Sequence, residues 1–125
     1  MMNKSTQIAL KLRFSNSYTN KQEMVHKLPN GLFVITLDPE FAHGVSFLEL
    51  ENIDVSSKVS KEDCLCKTDK GPIKSPISGT VVDINKDAGK NISMFRSGPT
   101  SSYLVMIKPE KGYEPLENDG FEKLF

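Results

Sequence analysis

Lys74-Ser75-Pro76-Ile77-Ser78-Gly79-Thr80-Val81-Val82-Asp83-Ile84-Asn85 is the stretch on which the reading of the fold turns. Pro76 stops one extended segment, because proline cannot donate to a ladder. Ser78-Gly79 redirects the chain. Residues 79–85, rich in β-branched side chains, then form the clearest strand of the second half. Just upstream, Asp69-Lys70-Gly71-Pro72 reads as a turn between strands at 61–68 and 73–76, so a hairpin with Lys70 near its tip precedes the motif.

The same pattern runs outward in both directions. Residues 23–28 alternate polar and apolar, as a half-buried strand does. Pro29-Asn30-Gly31 turns the chain into a returning strand at 32–37, which Asp38-Pro39 closes. At 45–51, Leu48 and Leu50 alternate with Glu49 and Glu51, which gives one dry and one wet face. Residues 86–99 read as a polar loop holding one helical turn. The last strand spans 101–108, with Tyr103, Val105 and Ile107 on one face. Asp119, three residues before Glu122, has the spacing of a capping box, so a short helix is expected at 120–124. Short strands divided by Gly, Pro and Asn turns predict a mostly β sandwich or barrel.

Composition bounds the function. The chain has 125 residues, enough for one domain, and no apolar run approaches the ~20 residues that span a bilayer. Sixteen basic and sixteen acidic residues cancel, but unevenly: residues 1–36 carry +4, 37–57 carry −5, 58–96 carry +3 and 97–125 carry −2. The segment 1–22 has no acid. It has the basic, Ser/Thr-containing composition of a mitochondrial transit segment, although its place at the start of this chain favours a cytoplasmic protein. Residues 1–17 form a basic N-terminal arm in this reading, and 18–125 form the domain. Cys64 and Cys66 share one face of a predicted strand as reduced packing thiols, and His26 and His43 are isolated, so no metal site is expected. No Ser/His/acid pattern or phosphate-binding Gly loop argues for an enzyme.

The 74–85 motif resembles the Ser-Pro-Val-Ser-Gly-x-Val-Val-x-Val-Asn segment of glycine-cleavage H proteins and related lipoyl and biotinyl carriers. Tyr18-Thr19-Asn20-Lys21-Gln22-Glu23-Met24-Val25 is similar to that family's first strand, and Phe47-Leu48-Glu49-Leu50 to its Phe-Val-Glu-Leu strand. Ser102-Tyr103-Leu104-Val105-Met106-Ile107-Lys108-Pro109 is similar to its Gly-Trp-Leu-x-x-Ile-Lys strand. The resemblance covers residues 18–125 and implies a barrel-sandwich hybrid fold with a lipoyl lysine at a hairpin tip. In the family that lysine precedes the proline by about eight residues. Here the corresponding position is Thr68, whereas Lys70 precedes Pro76 by six, and Gly71-Pro72 follows it in place of small aliphatic residues. Thr68-Asp69-Lys70-Gly71 also echoes the Thr-Asp-Lys-Ala tip of acyltransferase lipoyl domains.

Leu32-Phe33-Val34-Ile35-Thr36-Leu37-Asp38-Pro39-Glu40 resembles a strand of the Simiate family, the actin-binding transcription modulators, which share the fold without the lipoyl lysine. A microsporidian dormancy factor that occupies the exit site of idle ribosomes is a short relative. This second resemblance implies a non-catalytic, cytoplasmic, monomeric ribosome-binding factor with no cofactor, membrane or small-molecule substrate. Lys4, Lys11, Arg13, Lys67, Lys70, Lys74 and Arg96 would meet rRNA phosphate, and Phe14, Tyr18 and Phe95 would stack on bases. The alternatives are a lipoyl carrier modified at Lys70, with lipoate as its cofactor, and a general interaction module of the Simiate type.

Overall fold

The computed structural model describes residues 16–90, 92–97, 102–110 and 120–124. Among these residues, ten strands form two sheets. The elements run β1 (Asn16–Thr19), β2 (Glu23–Lys27), β3 (Phe33–Leu37), α1 (Pro39–His43), β4 (Leu48–Leu50), β5 (Lys58–Val59), β6 (Cys64–Thr68) and β7 (Gly71–Lys74). They continue through β8 (Gly79–Ile84), a 3-10 turn (Ala88–Lys90), α2 (Ile92–Arg96), β9 (Val105–Pro109) and β10 (Glu122–Lys123). The larger sheet has the order β10-β1-β2-β3-β9-β8-β5 and the smaller one β4-β6-β7; every pairing is antiparallel. Asn16 and Ser17, assigned by sequence to the arm, belong to β1. Among the described residues, no helix is long and apolar enough to cross a membrane.

The two sheets share one core. Val25, Phe33, Ile35, Leu37, Val81, Val105 and Ile107 from the larger sheet meet Leu48, Leu65, Cys66 and Ile73 from the smaller. A second cluster, Leu28, Val34 and Tyr103, covers the opposite face of β3. This double cover explains a departure from the expected alternation: all five residues of β3 are buried, and so are Glu23 and His26 in β2. Tyr103 belongs to the second cluster rather than to the face of Val105 and Ile107, because the chain bends before β9 begins. Its hydroxyl donates to Asp83 Oδ2 at 2.6 Å, which ties it to β8.

The expected turns form. At Pro29-Asn30-Gly31 the Gly31 N–H donates to the Leu28 carbonyl and the Leu28 N–H to that of Leu32. The segment Asp38-Pro39 does close β3, but it also opens α1. The Asp38 side chain accepts from the Glu40 N–H and Pro39 occupies the first turn, an N-cap followed by a proline that gives up no needed donor. The polar stretch after β8 holds the 3-10 turn and α2.

The expected C-terminal helix does not form. Gly120 has φ +85°, outside the right-handed helical region. Phe121 turns into the main core, and Glu122–Lys123 pair with Thr19 and Tyr18. The Leu124 N–H reaches the Ser17 carbonyl at 2.7 Å. A strand here satisfies the free edge of β1 and buries a phenyl ring, whereas a helix this short has little intrinsic stability. Asp119, the cap of the expected helix, lies outside the described residues.

Candidate functional site at a hairpin tip

The β6–β7 hairpin is closed by its own side chains. Thr68 pairs with Gly71, leaving Asp69-Lys70 as the two-residue tip. The Thr68 hydroxyl donates to the Gly71 carbonyl at 2.9 Å and accepts from the Lys70 N–H at 3.0 Å. Asp69 fastens the tip sideways: its Oδ1 accepts from the N–H groups of Ser46 (2.8 Å) and Phe47 (3.4 Å) on the segment entering β4. Those donors, Ser46 first, hold the Asp69 carboxyl below the usual range. The backbone under Lys70 is thus fixed, while its side chain is exposed and has no ion-pair partner among the described residues.

The 74–85 motif performs the return. The Ser75 N–H donates to the Asp63 carbonyl (2.7 Å), its hydroxyl donates to the Ile77 carbonyl (2.6 Å), and the Ser78 hydroxyl accepts from the Lys61 N–H (2.9 Å). Both serines therefore satisfy backbone groups where the chain leaves the smaller sheet for the larger. Lys70 reaches the tip despite preceding Pro76 by only six residues, because β7 is a short arm of four residues. The sequence spacing reports the length of that arm, and the lysine remains at the apex.

Beside the tip lies a half-open cavity of about 350 Å³ between β7 and the β1–β2 turn, lined by Asn20, Glu23, Lys61, Glu62, Lys70 and Lys74 among others. Glu23 forms its inner wall. One carboxyl oxygen accepts from the Lys74 N–H at 3.0 Å and the other from the Asn20 amide, so this side chain bridges the two sheets. Burial pushes its carboxyl above the usual range, against the lowering effect of those hydrogen bonds and with a smaller raising effect from Glu62. The native chain then holds the Glu23 proton to higher pH than the unfolded chain. That contribution to stability is complete below the ordinary carboxylate range, near pH 4, and is lost as pH rises through the raised value. We expect the stability of wild type relative to Glu23→Gln to fall as pH is raised from about 4 toward neutrality. Urea midpoints across that range would show it, and a flat difference would contradict it.

The two cysteines do not share an environment. A register shift between Cys64 and Cys66 lets the consecutive Leu65 and Cys66 both enter the core. Burial pushes the Cys66 thiol up to about 12, with Cys64, Glu23 and Glu51 adding to it. Cys64 is half-buried with its Sγ 3.5 Å from Glu51 Oε1; burial and that carboxylate raise it too. Cys66 should therefore resist a thiol reagent at pH 8 in the native protein and react fully only on unfolding. Reaction of two thiols at native rates would refute this.

The residues expected to meet rRNA are not gathered into one surface. Lys4, Lys11, Arg13 and Phe14 lie outside the described residues. Phe95 is fully buried in the main core, so it cannot stack on a base. Tyr18 packs half-buried against that core. Arg96 faces inward, with Nε donating to the Ala42 carbonyl (3.0 Å) and Nη2 to that of Val45, where it clamps the end of α1. Lys67 pairs with Glu51 at 3.5 Å and Lys74 with Glu62 at 3.8 Å. Lys61, Lys70 and Lys74 do converge, on the cavity. Sequence reading missed Glu23 and Lys61 there, because an acid at a polar position of an alternating strand carries no signal of burial.

The fold is mostly β, two antiparallel sheets with short helices, like that of H proteins and lipoyl domains. No protein-family model matches the chain, and no curated protein matches it. Among solved structures it is similar to the crystal structure of a glycine cleavage system H protein from Mycobacterium marinum. The TM-score is 0.61 and the sequence identity 18%, with 77% of this chain and 84% of the other covered.

Proposed function

We propose that this protein is a carrier of the H-protein type and that Lys70 is its modified residue. The observation that carries this reading is the position of Lys70: an exposed amine at the apex of a two-residue tip, on a backbone held by Thr68 and Asp69, in a fold shared with a glycine cleavage system H protein. The residues fit lipoate, which Lys70 Nζ would hold through an amide. When attached, that group supplies a disulfide that can be reduced and can accept a fragment from another enzyme's site. The protein's own part is to present the amine. The Asp69 bonds to Ser46 and Phe47 fix the tip against the body, so the carried group moves on its own long stem while its root stays in place.

The ribosome-binding reading rests on the arm residues Lys4, Lys11, Arg13 and Phe14 together with Tyr18 and the hairpin lysines Lys67, Lys70 and Lys74, of which Lys67 and Lys74 are paired with acids, and it loses Phe95 and Arg96 to structural roles. Of these the carrier reading needs Lys70 alone. Incubation with a lipoate–protein ligase, ATP and lipoate tests it. Wild type should gain one lipoyl group and Lys70→Arg none, with the remaining lysines as internal controls. Labelling that persists in Lys70→Arg, or wild type left unlabelled, would reject it.

A further inference from the structure

Phe47 is half exposed, one of four large apolar side chains left in solvent among the described residues, with Val55, Met94 and Leu124. Its neighbour Leu48 enters the core and pairs with Thr68, the residue that closes the hairpin tip. Alternation therefore turns Phe47 to the outer side of the smaller sheet, one register step further on, level with Asp69. A single exposed aromatic is ordinary on a protein surface and by itself carries nothing. Here two further observations attach it to Lys70.

The first is a shared clamp. Asp69 Oδ1 accepts from the Ser46 N–H at 2.8 Å and from the Phe47 N–H at 3.4 Å, and Asp69 directly precedes Lys70. The backbone under the ring and the backbone under the lysine are thus pinned to one carboxylate. The second is the course of the lysine stem. A Cβ built on Gly44 would lie 3.7 Å from Lys70 Cε, so the stem leans over the segment that leads from α1 to Phe47. Gly44 has φ −90°, which needs no glycine, and a long side chain there would crowd the stem. Behind the tip the outer side of the sheet offers paired charge: Lys67 lies opposite Glu49 and bonds Glu51 at 3.5 Å. An enzyme reaching Lys70 from this side meets the Phe47 ring as its apolar contact.

We propose that Phe47 is the anchor by which the enzyme that acylates Lys70 holds this domain, its ring entering an apolar pocket of that enzyme while the amine enters the active site. The proposal rests on the carrier reading and deepens it. Every surface lysine presents the same amine, so selecting one requires a second fixed point. A ring on the same clamp as the lysine supplies it, and aromatic side chains give the most binding per residue at interfaces. In the acylation itself Lys70 Nζ, as the free amine, displaces AMP from the acyl adenylate. The N–C bond forms, the C–O bond to phosphate breaks with its electron pair leaving on AMP, and the amine's extra proton goes to solvent. Phe47 takes no part in these steps, so its contribution lies in binding alone.

The test is steady-state lipoylation of the full chain by a lipoate–protein ligase, with ATP and lipoate saturating and the chain as the varied substrate. Phe47→Ala should raise KM for the chain about tenfold and leave kcat within about twofold of wild type. Phe47→Gln, which keeps length without the apolar ring, should lose as much, so the result does not hang on the folding of one variant. Phe47→Leu should recover most of the loss, because it restores apolar area. Val55→Ala removes a similarly exposed side chain beside Ser56, whose N–H bonds to Val81 in β8, and should match wild type. A KM unchanged in both Phe47→Ala and Phe47→Gln, a loss carried by kcat, or an equal loss in Val55→Ala would overturn the anchor. Wild type left unmodified would reject the carrier reading and the anchor with it, whereas wild type modified at Lys70 with Phe47→Ala unimpaired rejects the anchor alone.

Discussion

Replacing Phe95 with alanine should destabilise the protein by about 4 kcal/mol, the middle of the range for emptying a buried aromatic site. Phe95 is fully buried and is the large apolar anchor of α2, a five-residue helix with no capacity to persist alone. Its neighbour Arg96 bonds the carbonyls of Ala42 and Val45, so α2 is fixed to α1 from one side and to the core from the other. Removing the ring leaves a cavity between elements that the β-sheets prevent from collapsing. Since domains of this size are held by ~5–15 kcal/mol, the loss is a large share of the total. Urea denaturation measures it directly. A loss below about 1 kcal/mol would mean that the ring is not the core residue described here.

Gly79→Ala should cost about 3 kcal/mol, the upper end for overpacking, although it adds a single methyl group. A Cβ at Gly79 would stand 2.2 Å from the Lys108 carbonyl oxygen and 2.8 Å from Ile107 Cγ2. The first of these is backbone in a ladder: Gly79 pairs with Pro109 and Thr80 with Lys108, so relief requires β8 and β9 to separate. The half-buried neighbour Thr80, changed to alanine, provides a control expected to lose under about 1 kcal/mol. Equal effects at the two positions would contradict the close approach. The glycine of the Ser-Gly pair thus has a packing reason to be there, beyond redirecting the chain.

Most of the strands were legible because their turns are chemical. Asn30-Gly31, Asp69-Lys70-Gly71 and Ser78-Gly79 mark positions where few other residues serve, and the apolar runs between them are too short for helices. Two kinds of feature were not legible. The first is local pattern overruled by neighbours. Glu23 and His26 occupy positions that alternation assigns to solvent, yet β2 is covered on both sides; Glu122 and Lys123 have a helical cap signal upstream, yet the open edge of β1 takes them as a strand. Asp38-Pro39-Glu40 is the converse case, a helix start read as a strand end because both readings use the same residues. The second kind is non-local. Lys70 could be picked out by its place in a predicted turn. The cavity beside it draws Asn20, Lys74 and Phe121 from three distant segments, and no spacing along the chain announces their meeting.

The spacing of Lys70 from Pro76 shows how sequence and geometry can diverge. Counted along the chain, the lysine is displaced from the position that carriers of this type use. In space it stands at the apex, since the arm that follows is four residues long and the tip is pinned by Asp69. An enzyme that modified this lysine would meet it at the apex of the hairpin, whatever its distance from Pro76 along the chain.

The carrier reading is tested most directly by the mass of the protein itself. Intact-mass and peptide analysis of the chain expressed in a host that lipoylates its own carriers, with lipoate supplied, should find one lipoyl group, located on the peptide containing Lys70. Unmodified Lys70 throughout, with the host's own carrier proteins fully lipoylated, would contradict it.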